Sequence, residues 1–67
     1  MSNVANLRKV RESLVLRRRD LAARGALSPA DGGRSATQIC SLQAEIDALD
    51  DAIADELDTE AAAANPV

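Results

Sequence analysis

The sequence predicts an all-α protein, a two-helix antiparallel hairpin with a short turn. The chain has no Phe, Trp or Tyr and few β-branched residues, a composition that favours helix over strand. Apolar residues recur at steps of three and four in two long segments, which is the spacing of one helix face. A stretch containing Gly, Pro, Ser and Asp separates the two segments and predicts the turn.

The first predicted helix covers residues 2–24. Ser2 or Asn3 can cap its N-terminus. Gly25 is expected to end it in a left-handed conformation, which glycine adopts without steric cost. The residues that recur on its apolar face are Val4, Leu7, Val10 or Arg11, Leu14 and Leu21.

The predicted turn covers residues 25–34. Its segment Ser28-Pro29-Ala30-Asp31 has a capping residue followed by Pro, a pattern that predicts one isolated helical turn. Asp31-Gly32-Gly33 is typical of a tight turn, and a small irregular β-hairpin is the alternative structure here.

The second predicted helix covers residues 35–60 and opens with a capping box from Ser35 to Gln38. Its run of apolar residues lasts little more than two heptads, which is short for a free-standing coiled coil. It favours instead a seam, the line of apolar contact between two helices of a bundle. Pro66 blocks helix continuation, so residues 61–67 are expected to form a flexible tail after a single domain of residues 1–60. The predicted helix seam comprises Leu7, Leu14, Leu21, Ile39, Leu42, Ile46, Leu49, Ile53 and Leu57.

The small size of the chain predicts dependence on partners. A chain of 67 residues buries a modest core and usually needs a disulfide, a metal or an oligomer for stability. Cys40 is the only cysteine and there is no histidine, which excludes an intrachain disulfide and a Cys/His zinc site. We therefore expect a homo-oligomer or docking onto other proteins.

Charge is segregated along the chain. Residues 1–25 carry seven cations and two acids, whereas residues 35–60 carry eight acids and no cation. This segregation favours pairing of the two helices and disfavours contacts between like helices. The cations predict a basic patch that faces a partner or DNA: Arg8, Lys9, Arg11, Arg17, Arg18, Arg19 and Arg24.

Three consecutive apolar residues predict a second interface. Leu14, Val15 and Leu16 point in directions about 100° apart on a helix, so one helix contact cannot cover all of them. A set of small residues on the second helix allows close approach of another helix, although Ala is also simply the best helix former. These small residues are Cys40, Ala44, Ala48 and Ala52.

No pattern in the sequence supports catalysis, a cofactor or a metal. The chain has no His or Tyr, and no nucleophile stands beside a plausible base. Cys40 follows Ile39 in the apolar pattern, so we expect a buried structural thiol. The acids lack the spacing of a calcium-binding loop, so a solvated acidic face is expected.

The sequence predicts a cytoplasmic protein. It has no run of about 18 apolar residues that could span a membrane, and residues 1–11 lack the apolar core of a signal peptide. A single unpaired cysteine fits a reducing compartment.

One segment resembles a known family. Gly32-Gly33-Arg34-Ser35-Ala36-Thr37, followed by an acidic helix with apolar residues at heptad-like spacing, is similar to the second half of gpW-like phage head–tail joining (head completion) proteins. The order of elements matches over residues 4–57. The hairpin of such proteins tends to carry a β-branched or aromatic residue before the glycines, where this chain has Ser28-Pro29-Ala30-Asp31.

The resemblance implies a structural subunit of a virion, assembled in the host cytoplasm. Several copies would form a ring between a portal-like protein and the tail, and basic side chains could contact DNA. The alternative is a hairpin dimer, a four-helix bundle that acts as an adaptor or nucleic-acid-binding regulator. A small inhibitor or chaperone that docks its acidic helix on a basic partner is a third interpretation.

Overall fold

The computed structural model describes residues 2–64, which form two long helices joined by a short turn. Helix α1 spans Asn3–Leu27, a 3-10 helix spans Pro29–Asp31, and helix α2 spans Gly32–Ala64. No strand is present among these residues, and the two helices pack against each other. The predicted all-α helical hairpin is confirmed.

Helix α1 begins as the sequence allows but ends later than predicted. The Ser2 hydroxyl accepts a hydrogen bond from the Ala5 N–H at 3.2 Å and caps the N-terminus. The helix continues through Gly25 to Leu27. The expected stop at Gly25 is wrong, because none of the glycines in residues 2–64 has a positive φ.

The turn is much shorter than the predicted span of residues 25–34. It consists of Ser28 and the 3-10 helix Pro29–Asp31, so the predicted isolated helical turn forms here. The Ser28 hydroxyl donates to Asp31 Oδ2 at 3.2 Å, and the Asp31 N–H donates to the Ser28 carbonyl at 2.9 Å. These local bonds leave no place for the alternative β-hairpin.

Helix α2 is longer than predicted at both ends. Gly32 already has helical angles, φ −56° and ψ −43°, so the expected glycine turn is instead the first turn of α2. Ser35 is therefore an interior, buried residue and not the start of a capping box. Residues 61–64 are helical where a flexible tail was expected, and residues 65–67 lie outside the described residues.

Cross-helix contacts fix the antiparallel register. Asn3 Nδ2 donates to Glu56 Oε1 at 3.4 Å, and Arg18 Nη1 donates to Gln43 Oε1 at 2.7 Å. Residues that are shielded from solvent follow steps of three and four in both helices. In α1 they include Val4, Leu7, Arg11, Leu14, Arg18, Leu21 and Gly25, and in α2 they include Ser35, Ile39, Leu42, Ile46, Leu49, Ile53 and Glu56.

The hairpin has a thin core and a large surface. Within residues 2–64, the buried apolar side chains are Val4, Leu42 and Ile46, which are 4%, 8% and 1% exposed. The molecule measures 58 × 18 × 10 Å with a radius of gyration of 16.2 Å, against about 11 Å for a compact chain of this length. Its accessible surface is 4971 Å², compared with about 4,000 Å² for a compact protein of this mass.

The helices approach each other closely beside the turn, at Gly25 and Ser35. A Cβ atom on Gly25 would lie 2.9 Å from Ser35 Cβ and 3.1 Å from its Oγ. Only hydrogen at this position of α1 permits the observed separation. The glycine is therefore needed for helix packing, and not for chain reversal.

Two alanine substitutions separate these roles of glycine. A Cβ on Gly33 meets nothing within 4 Å. Gly33 lies in the first turn of α2, so we expect Gly33→Ala to raise the free energy of unfolding by up to about 0.8–1 kcal/mol, the Gly–Ala difference in a helix interior. Gly25→Ala should lose this gain because the helices must move apart. Urea unfolding followed by circular dichroism measures both variants, and an equal gain in both would contradict the close packing at Gly25.

The middle of the seam should not tolerate a charge. Ile46 is 1% exposed, so we expect Ile46→Asp to abolish the cooperative thermal transition, because an unpaired buried charge costs more than the stability of so small a domain. Ala48→Asp adds the same charge at an exposed position of the same helix and is the matched control. Retention of a cooperative transition in Ile46→Asp would show that the core face is misplaced.

Candidate interaction surfaces

The seam contains eight of the nine predicted residues, and Leu57 is the exception. Leu57 is 42% exposed. The step from Leu49 to Ile53 is four residues, so the alternation requires a step of three next, and Glu56 takes the seam position. Glu56 is half-buried, with its carboxylate beside the Asn3 amide.

Two arginines occupy seam positions of α1, which corrects the prediction of one basic patch. Arg11 Nε donates to Asp50 Oδ1 at 2.6 Å in a partly exposed ion pair. The hydrogen bond and negative charge of Asp50, with a further contribution from Asp47, raise the pKa of Arg11 above its ordinary value. Arg18 is half-buried against Gln43. Arg11 and Arg18 each follow a seam leucine, Leu7 or Leu14, by four residues, and this spacing is the sequence signal for their place in the seam.

The other predicted patch residues are exposed but do not share one surface. Arg8 and Arg19 line a groove on one flank of the hairpin, and Arg17 lines a groove on the other flank. Lys9 is exposed. Arg24 Nε lies 3.0 Å from Asp20 Oδ2 in the same helix, where its charge also complements the helix C-terminus.

The larger groove, which we call the α1 groove, has a volume of about 550 Å³. It has an apolar base and charged side chains around it, and most of its lining residues belong to α1. Of the predicted second interface, Leu14 is half-buried in the seam, whereas Val15 and Leu16 line this groove. Its lining consists of Arg8, Arg11, Glu12, Val15, Leu16, Arg19, Asp50 and Ile53.

The opposite flank carries a smaller groove of about 300 Å³. Polar side chains from α2 and one arginine from α1 form much of its wall. It is lined by Leu14, Arg17, Leu21, Thr37, Gln38, Ser41, Leu42 and Glu45. Leu14, Leu21 and Leu42 are seam residues whose edges form its base, so this groove offers less free apolar surface than the α1 groove.

Helix α2 presents an acidic outer surface with small residues between the acids. Cys40 is exposed, so the expectation of a buried thiol is wrong; it lies about 100° around the helix from Ile39 and thus leaves the seam. Ala44 and Ala48 are also exposed, whereas Ala52 is half-buried at the seam edge. Helix α1 therefore leaves most of this set of small residues uncovered.

Within residues 2–64, no three acidic or cysteine side chains are grouped so that they could hold a metal ion. Neither described helix contains an apolar stretch of the length needed to cross a membrane. The surface features described above are two grooves along the hairpin and the exposed outer faces of the helices.

Comparisons with protein-family models, curated proteins and solved structures find no match to this chain.

The seam ion pair yields a prediction about salt dependence. We expect Arg11→Ala and Asp50→Ala each to lower the thermal midpoint slightly at low salt, with a double variant little worse than either single one, because both remove the same contact. The difference should shrink in molar salt. Lys9→Ala, on the exposed surface, is the control. Fully additive losses would show that the two side chains are not coupled.

Proposed function

We propose that this protein is a non-enzymatic structural subunit that acts as part of a helical assembly. The observation that carries this proposal is the excess of exposed surface over a thin core. The two helices bury few apolar side chains completely and leave Val10, Leu16 and Leu57 at least 42% exposed. Chains with so small a core commonly gain stability from further packing.

The setting that the sequence resemblance implies is the head–tail connector of a tailed phage. Copies in a ring, in contact with portal-like and tail proteins, would cover the exposed helix faces, and the segregated charges suit packing between neighbours. The segment Gly32–Thr37 and the following acidic helix support this setting. The β-hairpin of such proteins has no counterpart among residues 2–64, because Ser28–Asp31 forms a 3-10 turn.

A second candidate is a hairpin dimer that acts as an adaptor or nucleic-acid-binding regulator. The α1 groove favours it, since apolar Val15 and Leu16 lie there beside the cations Arg8 and Arg19. DNA binding has less support, because the exposed cations are divided between the two flanks and no aromatic side chain is present to stack on bases.

Sedimentation equilibrium of the full chain tests the assembly function. We expect a mass above the 7.0 kDa of one chain at micromolar concentration, with helicity that rises as the protein associates. A fully folded monomer at every concentration would contradict self-assembly. Tight DNA binding that weakens steeply with salt would favour the regulator over the connector, whereas portal, capsid or tail genes beside its own gene would favour the connector.

A further inference from the structure

We propose that the α1 groove is the docking site for helix α2 of a second copy, and that the two hairpins form a two-fold symmetric four-helix bundle with both turns at the same end. This inference rests on the proposed assembly function and specifies the surface and symmetry of its second candidate, the hairpin dimer, because a two-fold interface closes at two copies. Three properties of the described residues support it: the chemistry of the groove, the chemistry of α2 and the segregation of charge between the helices.

The groove is suited to an acidic helix. Val15, Leu16 and Ile53 provide apolar contact area, and Leu16 is 56% exposed in the isolated hairpin. Arg8 and Arg19 are exposed, so their charges remain available to a partner, whereas Arg11 is paired with Asp50 across the seam. A partner helix here would bury apolar surface and meet two exposed arginines and one exposed acid, Glu12, so the free charges of α1 in the groove have a net value of +1.

Helix α2 carries a matching flank. Residues at steps of four and three from 43 to 57 lie along one side of the helix, next to the seam and on the same side as Asp50. All of them are exposed and none is a cation. Asp50 is already paired with Arg11 within the hairpin, so Asp47 is the acid of this flank that has no cation opposite it in α1, and the flank also carries one small and one large apolar residue. This flank consists of Gln43, Asp47, Asp50, Ala54 and Leu57.

Charge selects one of two symmetric arrangements. If the two-fold axis is perpendicular to the helices, α1 lies beside α1 of the second copy and the turns are at opposite ends. If the axis is parallel to the helices, α1 lies beside α2 of the second copy and the turns are at the same end. Helix α1 has seven cations and two acids, whereas α2 has eight acids and Arg34. Only the parallel axis places each basic helix between two acidic helices.

The area of exposed surface is sufficient for such an interface. The accessible surface of the hairpin is 4971 Å², about 900 Å² more than expected for a compact protein of this mass. A stable protein–protein interface buries about 800 Å² on each partner. Pairing of two hairpins would therefore bring the surface of each chain close to that of a compact protein.

A pair of charge reversals tests the groove. Arg8 lines the α1 groove, whereas its neighbour Lys9 does not, and both are exposed in the same turn of α1. We expect Arg8→Glu to raise the dimer dissociation constant at least tenfold and Lys9→Glu to change it less than threefold, by sedimentation equilibrium at low salt. Equal effects of the two variants would overturn the assignment of the groove.

Distance measurements test the symmetry. A spin label at Ala30, introduced by Ala30→Cys in a Cys40→Ser background, reports the separation of the two turns. Turns at the same end should give a distance below about 30 Å, from helix diameters and label length. The groove centre lies about 16 residues from Ala30 along α1, so turns at opposite ends should be about 48 Å apart.

The outcomes distinguish this inference from the proposed function. A dimer with the short distance and a selective effect of Arg8→Glu would support both. A dimer or larger assembly with the long distance would overturn the parallel arrangement and leave the assembly function in place. A monomer in the same sedimentation runs would overturn both, whichever other partner fills the groove.

Discussion

The packing of α1 against α2 along one narrow seam is the interaction on which the rest of the structure depends. Within residues 2–64, the seam has a complete apolar interior only near Val4, Leu42 and Ile46. Near the turn, the small residues Gly25 and Ser35 allow the two helix backbones to come close together, so the helices are in contact there without large side chains between them. A hairpin with one layer of seam contacts shields its helices on one side only, so each helix retains a broad exposed surface.

The polar contacts of the seam determine the alignment of the two helices more than they add to the stability of the hairpin. Arg11 lies opposite Asp50, and Arg18 lies opposite Gln43. A slide of one heptad would place Arg11 near Gln43 or Leu57 and remove its carboxylate partner. The apolar residues alone would accept such a slide more easily, because Ile and Leu repeat at the same spacing. The slide toward Leu57 would bring Arg18 near Asp50 but leave Arg11 without a polar partner, whereas the observed alignment gives both arginines one.

Much of the fold was predictable from the sequence, but the boundaries of its elements were not. Gly25 was expected to end α1 and Gly32-Gly33 to form the turn, because glycine is common at such positions. Both expectations were wrong because the hydrogen bonds of Ser28–Asp31 complete the chain reversal within four residues. The glycines are therefore not needed for the turn, and they adopt helical conformations in α1 and α2. Leu57 was assigned to the seam because it is apolar and lies close to the next position of the pattern, whereas the helical phase gives that position to Glu56.

The sequence by itself determined the helical class, the apolar spacing and the separation of charge, because these follow from residue type and period along one chain. Only the tertiary structure decided which polar residues face the other helix. Arg11 and Arg18 are members of the same run of cations as Arg8 and Arg19, yet the first two lie in the seam and the last two line the α1 groove. A long side chain can turn toward a partner or toward solvent, and the position of the partner carboxylate or amide decides between them.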